Sequence, residues 1–264
     1  MQDINIFFAG QDIDVTLLTL YAFFAFFAGL VIYLQRESKR EGYPLEDDVS
    51  GKLEDPEGFL AYPKPKSFAL ASGEVIEKPN AVRDRDGLPL ARTAAWSGSP
   101  FEPVGNPIGA GVGSGSYAMR ADVVDVTGHG DPRIGPLSAS PTFGIEEKDP
   151  DVRGFTMLGV DGETAGTVTD IWIDRMESLI RYLEVELPAE GDVPTSKVLI
   201  PMTMCEVKRK KGVITTDSLK AEQFRGAPYP AAPDRITRLE EEKVVGYFGS
   251  GYMYAEAERG EPAL

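Results

Sequence analysis

The chain has 264 residues, with 27 basic and 42 acidic side chains, a formal net charge of −15 and 42% hydrophobic residues. That negative balance argues against a nucleic-acid partner, because phosphate binding needs a basic surface. The single cysteine, Cys205, excludes an internal disulfide framework and a CxxC metal site. The single histidine excludes a His-rich metal centre and leaves one possible base for a Ser-His-Asp triad. Mean hydropathy, −0.19, is that of a soluble protein, but it averages over one strongly apolar segment.

That segment runs from Val15 to Leu34 and predicts a transmembrane helix. Seventeen of its 20 residues are hydrophobic and none is charged. A helix of this length is about 30 Å long, which matches the hydrocarbon core of a bilayer. A signal peptide is disfavoured, because residues 1–14 contain no Lys or Arg and no small-residue cleavage site follows. A buried core helix is disfavoured by the lack of a polar stripe.

The residues around the span predict its orientation and one possible contact. Three basic residues follow it directly: Arg36, Lys39 and Arg40. None precedes it, so the positive-inside rule places residues 1–14 outside and the rest of the chain in the cytoplasm. A stripe of small residues could admit a second helix: Ala22, Ala25 and Gly29. The alternative is that small residues are simply common in membrane helices.

Residues 35–150 are rich in Pro and Gly, with little periodicity beyond short strand candidates at 67–70 and 73–76. Segments this long without regular structure are usually disordered or lie along a partner. Six aromatic residues favour the second alternative: Phe59, Tyr62, Phe68, Trp96, Phe101 and Tyr117. We therefore predict an extended arm that docks on a partner. The glycines of 105–115 lack dinucleotide or P-loop spacing and predict a turn-rich loop.

From about residue 154 the chain changes to short β-branched or aromatic runs separated by turn signals. The predicted strands are 155–160, 164–174, 179–187, 197–202, 205–208 and 213–216. Their spacing predicts a mainly β domain over residues 151–264, a small antiparallel barrel or sandwich. Two short helices are expected, at 218–224 with Ser218 as N-cap and at 239–247 with an acidic first turn. The glycine-rich stretch 246–254 is expected to be irregular.

Two groups of side chains could carry chemistry. His129 lies in a Gly-His-Gly loop, followed by Asp131. It is either a solvated side chain or a proton acceptor or surface metal ligand, since imidazole alone titrates unperturbed near neutral pH.

The second group lies around a predicted hairpin: Asp170, Asp174, Glu177 and Arg181. On a strand, Asp170 and Asp174 share one face, and Arg181 returns within reach. One interpretation is a solvated acidic edge with a salt bridge worth under about 1 kcal/mol. The other is a set of carboxylates covered by a partner. Desolvation and mutual repulsion would then raise their pKa values from about 4 towards neutrality, so that they could relay protons.

Several stretches resemble the H subunit of the photosynthetic reaction centre of purple bacteria. In order, they are REGYPLE at 40–46, PKPKSF at 63–68, GHG at 128–130, AGTVTDIWID at 165–174, RYLEVEL at 181–187, LIPM at 199–202 and LEEEKV at 239–244. The resemblance implies a PRC-barrel-type cytoplasmic domain on one helix of the bacterial inner membrane, with residues 1–14 in the periplasm.

The resemblance also implies a role and its partners. The chain would cap the cytoplasmic face of the L and M subunits, with antenna polypeptides and lipids as neighbours. L and M would hold bacteriochlorophyll, bacteriopheophytin, quinones and non-haem iron, whereas this chain would hold no redox cofactor. It would shield the quinone sites and conduct protons to the secondary quinone, without being an enzyme itself. The alternative is a membrane-anchored PRC-barrel adaptor with no photosynthetic partner.

By motif match, Asp174, Glu177 and Arg181 fall on the family's proton-path and quinone-side positions, and His129 falls on its proton-entry position. Some members have a second histidine where this chain has Asp131. A two-histidine site is therefore excluded, although His129 and Asp131 could still accept a proton or bind a divalent metal ion.

Overall fold

The computed structural model describes residues 5–8, 11–58, 61–70, 73–82 and 85–259. The chain divides into two compact units, Met1–Arg83 with Ala95–Gly98, and Asp84–Ala94 with Ser99–Leu264. The two units divide near residues 83 and 98, and not near residue 150, where the sequence predicts a domain boundary. The predicted domain boundaries are not tested by this division and remain predictions.

The first unit contains the long apolar helix. An antiparallel pair of strands, β1 (Asn5–Phe8) and β2 (Gln11–Asp14), precedes helix α1 (Val15–Ser38). Asp14 caps α1, because its carboxylate accepts hydrogen bonds from the backbone N–H groups of Thr16 and Leu17 at 2.9 and 3.1 Å. The helix extends four residues beyond the predicted span and buries none of its residues. An apolar helix exposed on every side needs lipid or other helices around it.

The predicted small-residue stripe lies on this exposed surface. Among the described residues, nothing lies within 4 Å of the position a Cβ would take at Gly29, and Ala22 and Ala25 are exposed, so the stripe is open to a neighbouring helix. Such packing stays a prediction.

The three basic residues after the span have different surroundings. Arg40 is buried, pairs with Glu37 at 2.9 Å, and donates to the carbonyl oxygens of Lys64 and Lys78 at 2.7 and 3.2 Å. It therefore ties the helix end to the antiparallel pair β3 (Lys66–Ala69) and β4 (Val75–Lys78). Arg36 lies in the last turn of α1, and Lys39 at its C-cap lies 5.7 Å from the Tyr62 ring centre. The short strand candidates at 67–70 and 73–76 are thus found with shifted ends.

The second unit is mainly β. Its strands are β5 (Leu90–Arg92), β6 (Phe101–Pro103), β7 (Ile134–Pro136), β8 (Thr156–Leu158), β9 (Thr164–Asp174), β10 (Leu179–Leu187), β11 (Ser196–Pro201), β12 (Glu206–Lys208) and β13 (Val213–Thr215). In the described part of this unit, seven strands form a sheet in the order β11-β10-β9-β8-β13-β12, with β7 also paired to β9. The β8–β13 pair is parallel and the other pairs are antiparallel.

Strand β9 runs through the centre of the core. Its last five residues, Asp170 to Asp174, are all buried, because β7 and β10 flank this end of the strand and both of its faces are covered. Trp172 is fully buried, with Leu183 of β10 and Leu199 of β11 equally enclosed. Two carboxylates are thereby placed inside the protein, where each needs hydrogen-bond donors.

Helix α2 (Arg238–Tyr254) corrects the prediction that 246–254 is irregular. Its N-cap is Thr237, whose hydroxyl accepts from the Glu240 N–H while the Glu240 carboxylate accepts from the Thr237 N–H. Glycine costs a helix about 1 kcal/mol per residue. Here it permits close packing, since a Cβ at Gly246 would lie 2.8 Å from the Gly115 carbonyl oxygen.

The short helix predicted at 218–224 also begins elsewhere. A 3-10 helix covers Ala221–Gly226 with Lys220 at its N-cap. Ser218 is not a cap: it is fully buried, and its hydroxyl donates to the Phe248 carbonyl of α2. The Ser218 hydroxyl therefore binds α2 in the packed core instead of capping the N-terminus of the short helix, as the sequence pattern predicts.

Candidate functional site: an arginine–carboxylate cluster

The turn between β9 and β10 is organised by the carboxylate of Asp174. Its Oδ1 accepts hydrogen bonds from the backbone N–H groups of Met176 and Glu177 at 3.0 and 3.1 Å. Aspartate commonly makes such a turn with its own following backbone. The bonds hold the turn that carries Glu177 against the end of β9.

Two arginines bind Asp174 and Glu177 together. Arg133 reaches Oδ2 of Asp174 at 2.8 Å and Oε1 of Glu177 at 2.7 Å. Arg181 reaches the same Oδ2 at 3.0 Å and Oε2 of Glu177 at 3.1 Å. The Asp174 side chain is fully buried, whereas that of Glu177 is 48% exposed. We call Arg133, Asp174, Glu177 and Arg181 the arginine–carboxylate cluster.

An irregularity in β10 delivers Arg181 to the cluster. Ile180 pairs with Ile173 and Tyr182 pairs with Trp172, so Arg181 is left over between two consecutive pairs. An extra residue of this kind bends the strand and redirects its side chain. The predicted reach of Arg181 to the carboxylates is thus observed, by way of this register shift.

In this chain by itself the pKa of Asp174 shifts downward, opposite to the rise expected for carboxylates covered by a partner. Burial raises the pKa of its carboxyl, but hydrogen bonds from Arg133, the Glu177 N–H and Arg181 outweigh burial and lower it to about 2. The hydrogen bond to Asp174 in turn raises the pKa of Arg133. Asp174 is therefore a permanently charged member of the cluster at neutral pH.

Residues 125–133 lead from a surface turn that contains His129 and Asp131 to the cluster. We call this segment the arm, as distinct from the extended segment expected over residues 35–150. The Thr127 N–H donates to the Asp131 carbonyl at 2.8 Å, and Gly130 takes the left-handed conformation at φ +89°. His129 and Asp131 are both exposed. The described residues contain no group of three or more His, Cys, Asp or Glu side chains placed to hold a metal ion.

The arm joins the turn to the cluster through Arg133. Strand β7 begins one residue after Arg133 and pairs Ile134 with Asp174. Arg133 also contacts Asp125 on the opposite side of the arm, with Nη1 and Oδ2 3.4 Å apart. Asp125 in turn binds Arg238 of α2 at 2.6 Å. No local spacing in the sequence points to Arg133, Asp125 or Arg238, because Arg133 lies 41 and 44 positions from Asp174 and Glu177, and Arg238 lies 113 positions from Asp125.

Asp170 lies apart from the other three predicted residues of its group. Its carboxylate accepts from the Ser138 hydroxyl and, at 2.8 Å, from the Ile171 N–H. Four residues along a strand span about 13 Å, so a shared face does not bring Asp170 into contact with Asp174. The structure therefore brings together Asp174, Glu177 and Arg181, and leaves Asp170 outside.

Two family profiles match the chain. Residues 7–139 match the photosynthetic reaction centre H-chain N-terminal region, and residues 144–223 match the PRC-barrel domain. The chain belongs to the photosynthetic reaction centre H-chain family. An H chain is a non-catalytic accessory subunit with a structural role in the bacterial reaction centre, and the family implies association with the L and M subunits. The resemblance found in the sequence is thereby confirmed, and the adaptor alternative loses its basis.

The matches also confirm the fold class and locate the cluster within the H chain. One long apolar N-terminal helix anchors the chain in the membrane, and a mainly β PRC-barrel domain with short helices follows. Arg133 lies in the N-terminal region, whereas Asp174, Glu177 and Arg181 lie in the PRC-barrel domain. The cluster therefore connects the two matched regions of the H chain.

A further buried carboxylate of the H chain, Glu184, is not indicated by any pattern in the sequence. Its donors are Lys197 Nζ at 2.6 Å, the Tyr229 hydroxyl at 2.8 Å, Thr169 Oγ1 at 2.9 Å and Trp172 Nε1 at 3.3 Å. Burial raises its pKa, but the bonds from Lys197, Tyr229 and Thr169 lower it overall. With its donors on β9, β11 and the chain before α2, Glu184 holds the sheet together.

Proposed function

We propose that this H chain caps the cytoplasmic face of L and M, shields their quinone sites from water, and conducts protons towards the secondary quinone. The observation that carries the proposal is the arm, which joins the exposed turn with His129 and Asp131 to the cluster. At its base the Arg133 N–H donates to the Asp125 carbonyl oxygen at 2.8 Å, and the Arg133 guanidinium contacts the carboxylates of Asp125 and Glu177. We call these five residues the run.

The members of the run divide into proton carriers and positioning residues. His129 is exposed at the surface turn, where its imidazole is open to water. Asp174 stays charged and, with Arg133 and Arg181, holds Glu177 in place. Reduction of a quinone to a quinol consumes two protons, and the net charge of −15 raises the proton concentration near the surface. Asp170, which contacts no member of this run, is left out of the proposal.

The same proposal assigns the surroundings of the chain. Residues 1–14 lie in the periplasm and the PRC-barrel domain lies in the cytoplasm of a cell whose inner membrane α1 crosses. Lipids and antenna polypeptides surround α1. Bacteriochlorophyll, bacteriopheophytin, quinones and non-haem iron belong to L and M.

Glu177→Gln in the intact reaction centre tests the conduction of protons. Because glutamine keeps the size of the side chain but cannot carry a proton, we expect flash-induced transfer of the second electron to the secondary quinone to slow by about tenfold or more. Primary charge separation should be unchanged, since it moves no proton. Glu186→Gln is the control, because Glu186 is an exposed carboxylate on β10 outside the cluster. Equal rates in Glu177→Gln and wild type would refute conduction through Glu177.

A further inference from the structure

A third carboxylate, Glu241, lies near the cluster but in a different environment. It is in the first turn of α2, and its Oε2 accepts a hydrogen bond from the Tyr182 hydroxyl at 3.2 Å. Glu241, Tyr182 and Arg181 line one cavity of about 470 Å³. A cavity of this volume has room for several water molecules. Arg181 therefore connects the cluster to a space that Glu241 also borders.

The charges around Glu241 come from three elements. Arg181 lies on β10, Asp125 and Arg133 lie on the arm, and Glu242 follows on α2. Within the described part of the chain, no basic side chain lies within 4.0 Å of its carboxylate, unlike that of Asp174. Glu242, by contrast, is paired with Arg120 at 2.7 Å. Glu241 is thus a partly enclosed carboxylate held by a neutral donor.

This environment moves the pKa of Glu241 upward. Burial raises it, the Tyr182 hydrogen bond and the charge of Arg181 lower it, and the charge of Asp125 raises it again. Among the described carboxylates whose pKa departs from its ordinary value, Glu241 is the one that rises; the others fall. A carboxyl shifted in this direction binds a proton more readily near neutral pH.

We propose that Glu241 is a proton-storing residue of the H chain, which takes a proton from water in the cavity beside Arg181 and releases it to that water. The proposal rests on the proposed function, because it adds a residue to the same path. The proton binds Oε1, since Oε2 accepts the Tyr182 hydroxyl. Negative charge on the quinone side favours the protonated carboxyl, so Glu241 takes up a proton from the cavity water at that moment. When the quinone is reduced to the quinol, the proton passes back to that water and on towards the quinone, and the carboxylate is restored.

The test uses Glu241→Gln in the intact reaction centre, with Glu186→Gln as the control. Flash-induced proton uptake is followed with a pH-indicator dye from acidic to alkaline pH, and the carbonyl-stretch region is recorded in light-minus-dark infrared spectra. We expect Glu241→Gln to slow proton uptake by about tenfold and to remove one protonated-carboxyl band. Glu241→Asp should restore the band at a shifted position.

Tyr182→Phe adds a prediction about the direction in which the pH profile of proton uptake shifts. The Tyr182 hydrogen bond lowers the pKa of Glu241, so its removal should move the pH profile of proton uptake towards alkaline pH. A purely structural role of Glu241 would leave the midpoint of that profile in place. An unchanged midpoint together with an unchanged infrared spectrum in Glu241→Gln overturns the proposal.

The outcomes separate this inference from the proposed function. Slow uptake in Glu177→Gln, with Glu241→Gln equal to its control, overturns the role of Glu241 alone. Wild-type uptake in both variants overturns conduction through this face of the H chain and the role of Glu241 with it.

Discussion

Asp174 is fully buried and Glu241 is half-buried in the same part of the H chain, and their carboxyl pKa values move in opposite directions. Two arginines and two backbone N–H groups surround Asp174, and its pKa falls to about 2. Glu241 has a tyrosine hydroxyl instead, and its pKa rises. The hydrogen-bond donors around a carboxylate, and not burial alone, therefore decide whether it is a fixed charge or can exchange protons.

The largest expected effect concerns the fixed charge. Asp174→Asn keeps the turn acceptor but removes the charge that balances Arg133 and Arg181. We expect a loss of about 3 kcal/mol in the free energy of unfolding, the low end for breaking a buried ion pair, because both arginines remain partly exposed. Denaturant unfolding of the full chain in detergent measures it. Glu186→Gln should stay within about 0.5 kcal/mol of wild type, and a similar small change in Asp174→Asn would contradict the assignment.

The dependence of stability on pH should distinguish the two carboxylates by sign. The folded pKa of Asp174, about 2, lies below its unfolded value of about 3.9. Its contribution is therefore present above about pH 4 and is lost as pH falls towards 2. The pKa of Glu241 is raised, so its contribution is present below about pH 4.3 and is lost as pH rises through the folded value.

Unfolding of wild type, Asp174→Asn and Glu241→Gln across this pH range checks the prediction. The stability difference between wild type and Asp174→Asn should shrink on acidification. Relative to Glu241→Gln, wild type should lose stability on alkalinisation. Parallel curves for the two variants would show that the carboxylates do not differ as described.

The smallest effect is expected at the exposed side of the cluster. The side chains of Glu177 and Arg181 are 48% and 40% exposed, and their closest approach is 3.1 Å. A double-mutant cycle on this pair should give a coupling of at most about 1 kcal/mol. A coupling as large as the effect of Asp174→Asn would mean that Glu177 is also a fixed structural charge.

Sequence reasoning located the hairpin that carries the cluster. The strands 164–174 and 179–187 were predicted with the ends that β9 and β10 have, because long β-branched runs flank a clear turn signal. Three-residue strands such as β7 are too short to show periodicity, and β7 brings in Arg133. Arg181 depends on a register shift, and the environment of Glu241 depends on packing between α2 and β10. Neither relation is local in the sequence.

Helix α2 is longer than the sequence pattern predicts, again because contacts distant in the sequence decide its structure. Its glycines predict an irregular segment, but Gly246 lies where another backbone passes too closely for a Cβ. Tertiary packing of α2, which fully buries Phe248, therefore outweighs the low helix propensity of glycine.

The kinetics of proton uptake distinguish a single path from His129 to Glu177, as proposed, from two independent routes. Flash-induced uptake would be measured in intact reaction centres carrying His129→Ala, Glu177→Gln or both changes. Because steps in series share one limiting step, the double variant should be no slower than the slower single variant. Effects that multiply in the double variant would show two independent routes and would contradict the path.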